Sequence, residues 1–420
     1  MARGGIARAR RGRRAGGRIL IALNGRRYRR PRAPTVIVCA DGCDPAYIAR
    51  GLRDGILPAI AAFRERGFVG EAEAAMPSFT NPNNLSIVTG APPAVHGISG
   101  NYFLDRGSGA EIMMTDERLL RSESILGLMS QAGVKTAAVT AKDKLRRLLS
   151  RGLEGLSFSS EYADSAAEAL VGRPRPDMYS ADLSLFVLDA GLRLIERGAA
   201  DLLYLSLSDY VQHAHGPGEP EADAFHREID ARLGRFAALG AVVGVVADHG
   251  MNDKAGSDGA PNIVFLEDEL VARFGADAVR VICPITDPFV RHHGALGSFV
   301  RVYLKNCADL GGLMAASAAL PGVALVLERA EAARRFELPL DREADFVVLG
   351  DAHTVLGSRR EAHDLSGLAG HRLRSHGGLG EARVPFILSR PLVPEYRRHA
   401  ASGSLRNFDI FDFALNGLAG

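Results

Sequence analysis

The sequence predicts an α/β protein: a mainly parallel sheet flanked by helices on both faces, with a small α+β cap insertion. Three observations lead there. Apolar runs without polar alternation recur at 35–40, 134–140, 202–208 and 241–247, as expected of parallel strands covered on both faces. Helix-like stretches at 123–132 and 221–239 separate them, and in the second Phe225, Ile229, Leu233 and Phe236 follow helical spacing. Beyond Asp258 this rhythm gives way to short strand-like pieces and short helices marked off by Gly, Pro and Asp.

In chain order, residues 1–17 are read as a disordered basic tail. Arg18–Leu23 followed by Asn24-Gly25 predicts a hairpin, because Asn-Gly suits a turn with two positive φ angles. The α/β core is expected over 18–257 and 346–420, with the cap over 258–345. Strand-like pieces inside the cap are Ile263–Leu266, Val279–Ile282, Ser298–Leu304 and Val323–Val326. Asp345–Gly350 reads as the return to the core, and Val384–Leu388 as a final strand.

Composition narrows the function classes. Hydrophobic residues make up 47% of the 420, ample for a large core. No apolar stretch reaches bilayer length and no signal-peptide core is visible. The four cysteines, Cys39, Cys43, Cys283 and Cys307, show no CxxC pairing, so a reducing, cytoplasmic setting is expected. Net charge is +2, yet residues 1–32 hold 12 Arg and no acid. Such a tail can bind nucleic acid, but it has no aromatic interleaving before Tyr28, and no nucleic-acid or membrane partner is expected.

The chemistry is concentrated where strands end. The run 241–247 delivers Asp248-His249, the run 35–40 delivers Asp41, and the run 202–208 delivers Asp209 with His213 four residues on. Open α/β sheets bind ligands at the carboxyl ends of their strands, and i, i+4 spacing puts Asp209 and His213 on one helix face, as a metal chelate requires. His376, beside Gly377-Gly378, is either an exposed turn residue or a further ligand. Thr80, ahead of Pro82, is either a helix N-cap or a nucleophile at a helix N-terminus, where anions are favoured. Lys142 and Lys144 follow a strand at i, i+2, which would aim both ammonium groups to one side of an extended segment. His292 and His293 are read as a cap-surface pair.

Together Asp41, Thr80, Asp209-x3-His213, Asp248-His249 and His376 resemble the two-metal site of the alkaline phosphatase superfamily. The threonine and the cap bring the likeness near its phosphodiesterase and nucleotide pyrophosphatase branch. Four segments are similar to the phosphonoacetate hydrolase family: Phe79-Thr80-Asn81-Pro82-Asn83-Asn84, His96-Gly97-Ile98-Ser99-Gly100-Asn101-Tyr102, Thr140-Ala141-Lys142-Asp143-Lys144 and Ser375-His376-Gly377-Gly378. The likeness runs from about Thr35 to the C-terminus and omits the Arg-rich tail.

This resemblance implies an alkaline phosphatase-like core and two Zn2+ ions, with Mn2+ or Fe2+ as substitutes. One ion would be held by Asp209, His213 and His376, the other by Asp41, Asp248, His249 and the Thr80 oxygen. It also implies that Thr80 is the nucleophile, that Asn101 donates to a phosphonate oxygen, and that Lys142 and Lys144 clamp the substrate carboxylate. The implied reaction cleaves the C–P bond of phosphonoacetate through phosphothreonine. The implied partner is a small phosphonate, and a homodimer is compatible with the reading.

Four competitors are weighed. A phosphodiesterase or nucleotide pyrophosphatase would share every metal ligand and the threonine. Sulfatases are disfavoured because a C/S-x-P-x-R motif is absent, and phosphoglycerate mutases because their nucleophile is serine. A non-catalytic zinc-binding protein is remote, since structural zinc sites favour closed Cys/His sets.

Overall fold

A computed structural model describes residues 20–256, 259–286, 294–306, 309–366 and 372–419. The expected tail, His292, His293 and Cys307 therefore lie outside, or for the tail wholly before, the described residues.

The centre is a seven-stranded sheet in the order Phe68–Glu73, Arg383–Leu388, Val242–Val246, Thr35–Cys39, Leu202–Ser206, Thr136–Thr140, Leu156–Ser159. Six strands run one way and Arg383–Leu388 opposes them. Each of the four apolar runs contains a strand, and every residue of those four strands is buried. The reason is the two-sided cover. A methyl group added at Gly191, in the helix Asp182–Glu196, would strike Leu203 and Leu205, whereas Tyr204 on the opposite side packs on Phe411 of the helix Ile410–Asn416. The helix Pro220–Ala238 buries Phe225, Ile229, Leu233 and Phe236, as its spacing predicts.

Register positions the chemistry. Cys39 lies level with Ser206 and Val246, and Ser206 with Thr140. The four parallel strands thus end together, and the residues that follow (Asp41, Asp209, Asp248 and Lys142) emerge along one edge of the sheet. A parallel sheet needs long crossovers between strands, which is why these neighbours in space are far apart in sequence.

The hairpin Leu20–Leu23/Arg26–Arg29 forms with Asn24 at φ 49° and Gly25 at φ 78°, the two positive angles that its turn demands. One element is placed differently from expectation. Phe346–Gly350 does not rejoin the central sheet. It lies between Phe299–Leu304 and Val323–Glu328 in the four-stranded antiparallel cap sheet, with Val279–Ile282 at the far edge. All five of its residues are buried, and an apolar run reads alike in either sheet, because hydrophobicity does not name a strand's partner. Among the described residues, Cys39, Cys43 and Cys283 are buried free thiols, and no helix is long and apolar enough to cross a membrane.

Candidate metal centre and active site

Two groups of ligand-type side chains meet at the carboxyl edge of the sheet. Asp209, His213 and His376 form one; Asp41, Asp248 and His249 form the other; within each, candidate ligand atoms lie within 4.8 Å of one another. All six side chains are buried. Asp209 sits just before the helix Tyr210–Ala214, so His213 Nε2 comes within 3.0 Å of its Oδ2, and His376 Nε2 lies 3.9 Å from the same oxygen. His249 Nε2 lies 3.2 Å from Asp41 Oδ1 and 3.2 Å from Thr80 Oγ1. The imidazoles of His249 and His376 stack with centroids 3.5 Å apart, so the two groups adjoin.

Backbone carbonyls orient the three imidazoles. Nδ1 of His213 meets the Arg374 carbonyl at 2.8 Å, Nδ1 of His376 the Ser78 carbonyl at 2.9 Å, and Nδ1 of His249 the Gly250 carbonyl at 2.8 Å. A carbonyl can only accept, so each Nδ1 carries a proton and Nε2 is the nitrogen turned to the site, free to ligate a cation when it is itself unprotonated.

Electrostatics agree with a need for cations. Burial, then the charges of Asp209 and Asp248, push the Asp41 carboxyl up to about 8. Burial alone would lower His249, but Asp248 and then Asp41 raise it to about 9. Burial, then His249 and His213, holds His376 well below the ordinary histidine range. Neither oxygen of Asp41 has an aligned hydrogen-bond donor among the described residues, and a buried carboxylate is costly until something neutralises it. Carboxylate and imidazole donors in two adjacent sets suit divalent transition-metal ions.

A cavity of about 260 Å3 opens beside both groups and is lined by Thr80, Asn101, Lys142, Lys144, Asp209 and His376 among others. Asp41, Thr80, Asn101, Lys142, Lys144, Asp209, His213, Asp248, His249 and His376 thus lie in one region, and at three of them the local geometry differs from one of the readings the sequence offers. Thr80 is not the N-cap: Phe79 is, without a side-chain cap bond, and Thr80 opens the helix Thr80–Thr89. Its hydroxyl faces His249 rather than the helix's own N–H groups. Lys144 is not on an extended segment, because the helix Asp143–Leu149 starts right after Lys142. Asp143 pairs with Arg146 and Arg147, while Lys142 Nζ donates to Asp209 Oδ1 at 3.1 Å. His376 is buried, its ring edge-on to Phe79. Nothing apolar is adjacent to it in sequence, so this packing is visible only in three dimensions.

Asn84 was not singled out, yet it ties the site together. Its amide N–H groups donate to the Thr80 carbonyl and to Asp248 Oδ2, both at 3.0 Å. Its Oδ1 accepts from Tyr204 Oη at 2.7 Å and Ser206 Oγ at 2.9 Å. The available signal was the polar pair Asn83-Asn84 within a helix that is buried all round, where an amide is stable only if fully bonded. Asn101 accepts from Asn81 Nδ2 at 2.6 Å and gives one N–H to the Ile285 carbonyl at 3.2 Å.

The fold is that of a hydrolase of the alkaline phosphatase superfamily, and the two ligand groups are candidate metal sites. Residues 35–363 match the type I phosphodiesterase/nucleotide pyrophosphatase family, and the chain belongs to that family. Over 96% of its length it superposes on the whole of a crystal structure of phosphonoacetate hydrolase from Sinorhizobium meliloti in complex with phosphonoformate, with a TM-score of 0.90 and 47% identity. The same figures hold for the complex of that enzyme with phosphonoacetate. A phosphonoacetate hydrolase from Penicillium oxalicum is 53% identical over 49 residues, 11% of this chain and 68% of that one. A pyrophosphatase/phosphodiesterase from Schizosaccharomyces pombe is 24% identical over 242 residues, 57% of this chain but only 45% of the yeast protein's length.

Proposed function

We propose that this protein hydrolyses the carbon–phosphorus bond of phosphonoacetate to acetate and phosphate. One observation carries the reading. A hydroxyl, Thr80 Oγ1, faces a cavity that also holds Asn101, two lysines and ligand groups for two metal ions. The likeness at 47% identity to an enzyme solved with phosphonoacetate supports the same substrate here.

Asp209, His213 and His376 would hold one zinc ion, and Asp41, Asp248, His249 and the Thr80 oxygen the other. Bound there, the two cations would lower the pKa of the threonine hydroxyl and screen the phosphonate oxygens. Thr80 attacks phosphorus as the P–C bond breaks, and the bonding pair passes to the methylene carbon. That charge spreads onto the carboxylate as an enediolate, which Lys142 and Lys144 stabilise more than they stabilise the ground state. A proton taken up from water at carbon, matching the one that the Thr80 hydroxyl gives up to water, completes acetate. Water then hydrolyses phosphothreonine, releasing phosphate and restoring the Thr80 hydroxyl. Asn101 has an amide N–H beyond the one given to Ile285 with which to orient a phosphonate oxygen.

The rival within the family is a phosphodiester or nucleotide pyrophosphate substrate. Two ammonium groups in the leaving-group region favour a small carboxylated substrate instead. The test compares kcat/KM for phosphonoacetate, a nucleotide diester and an aryl phosphate on the metal-loaded enzyme, and repeats the first with Thr80→Ala. Phosphonoacetate should lead by at least tenfold, and the variant should keep its metal yet lose turnover by ~10^3-fold or more. Preference for the diester would transfer the assignment to the rival; near-normal turnover in Thr80→Ala would remove the nucleophile.

A further inference from the structure

Behind the two ligand groups lies a buried ion pair that the reaction above does not use. Lys254 and Glu381 are both 0% exposed, with Nζ 2.8 Å from Oε1. Replacing such a pair by apolar groups of similar volume is often neutral or stabilising, so its presence asks for an explanation other than stability.

The contacts of Glu381 supply one. Its Oε1 also accepts from Asn252 Nδ2 at 2.7 Å, and its Oε2 accepts from the Gly378 N–H at 3.0 Å. Its backbone carbonyl accepts from the Gly250 N–H at 2.7 Å. Lys254 Nζ also donates to the Ala352 carbonyl at 3.0 Å, and its own N–H is bonded to the Leu373 carbonyl at 2.8 Å. One carboxylate therefore joins two chain segments. The first, 249–254, carries His249 of one ligand group; the second, 376–381, carries His376 of the other. Gly250 and Gly378 are close-fitting as well. A methyl group at Gly250 would come within 2.8 Å of Asp44, and one at Gly378 within 2.9 Å of Ser298. The same region also holds the short antiparallel ladder of Asn252-Asp253 with Arg374-Ser375 and the stacked rings of His249 and His376, so the side-chain bonds of Lys254, Asn252 and Glu381 brace segments that already adjoin.

We infer that Glu381, neutralised by Lys254, is a positioning residue that sets the separation of the two metal subsites by holding the His249 and His376 segments in one register. This rests on the two-metal reading above. An ordinary core role would move stability alone; a positioning role must move metal binding at matched stability.

The test uses the full chain with Lys254 and Glu381 both changed to Met, which removes both buried charges together. Metal-free unfolding temperature should stay near wild type. The affinity for the second Zn2+, titrated against a chromophoric chelator, should fall at least tenfold, in the range typical of lost outer-sphere support. kcat should fall with it, while KM changes less. Glu381→Gln, which keeps the volume, should shift second-ion affinity in the same direction, and it serves alone if the double variant does not fold. Two ions bound with wild-type affinity in a folded variant would overturn the inference, as would a loss of stability with unchanged metal binding. If wild-type protein itself binds no second ion, the two-metal reading fails instead.

Discussion

Asp41 and Lys142 show how one side chain's surroundings decide its chemistry. Asp41 titrates near 8 because it is buried beside Asp209 and Asp248, and His249 near 9 because of Asp248 and Asp41. Below these values both groups hold protons that an incoming cation must displace. Metal uptake at pH 7 should therefore release protons, and affinity should rise by up to about tenfold per pH unit and displaced proton between pH 6 and 8. Calorimetry in buffers of different ionisation enthalpy measures this; an affinity flat across that range would contradict it. Lys142 and Lys144 give a second residue-scale prediction. Changing both to Ala should cost kcat/KM on phosphonoacetate on the order of 10^2–10^3-fold, and far less on an aryl phosphate, whose leaving group has no carboxylate. Equal losses would break the clamp.

At the scale of elements, the helix Thr80–Thr89 joins Thr80 to the sheet through one amide. Asn84 bonds to Thr80, Asp248, Tyr204 and Ser206 at once. Asn84→Ala leaves two buried hydroxyls and a carboxylate oxygen without this partner, and should lower stability by roughly 2–3 kcal/mol in urea unfolding. It should also weaken metal binding through Asp248. A loss below about 0.5 kcal/mol, the level of an ordinary surface change, would show that water replaces the amide freely. The element scale is also where sequence and structure part. Lys142 and Lys144 line the same cavity, as expected, yet the geometry offered for them was that of a strand, and a helix starts between them. An Asp after a strand end reads equally as turn and as helix start, and only its bonds to Arg146 and Arg147 decide.

For the molecule as a whole, the cap is bonded to the core next to the cavity. Arg301, on the cap strand Phe299–Leu304, pairs with Glu343, both 0% exposed. It also donates to the Ser99 carbonyl and hydroxyl and to the Tyr102 carbonyl, on either side of Asn101. Arg301→Met strands the Glu343 charge and should cost about 3–5 kcal/mol. It should also raise KM for phosphonoacetate by releasing the Asn101 loop. Denaturant unfolding and steady-state kinetics on the same preparation check both; an unchanged KM would detach the cap from substrate binding.

The sequence by itself determined which residues are chemical. Acids at strand ends, the i, i+4 step from Asp209 to His213, and the apolar runs behind them are local patterns, legible because strand and helix periods are local. Tertiary structure decided partnership. It put Phe346–Gly350 in the cap, brought the Ser78 and Arg374 carbonyls to His376 and His213, and buried His376 against Phe79. Contacts between segments hundreds of residues apart depend on strand order and register, which composition and periodicity do not encode.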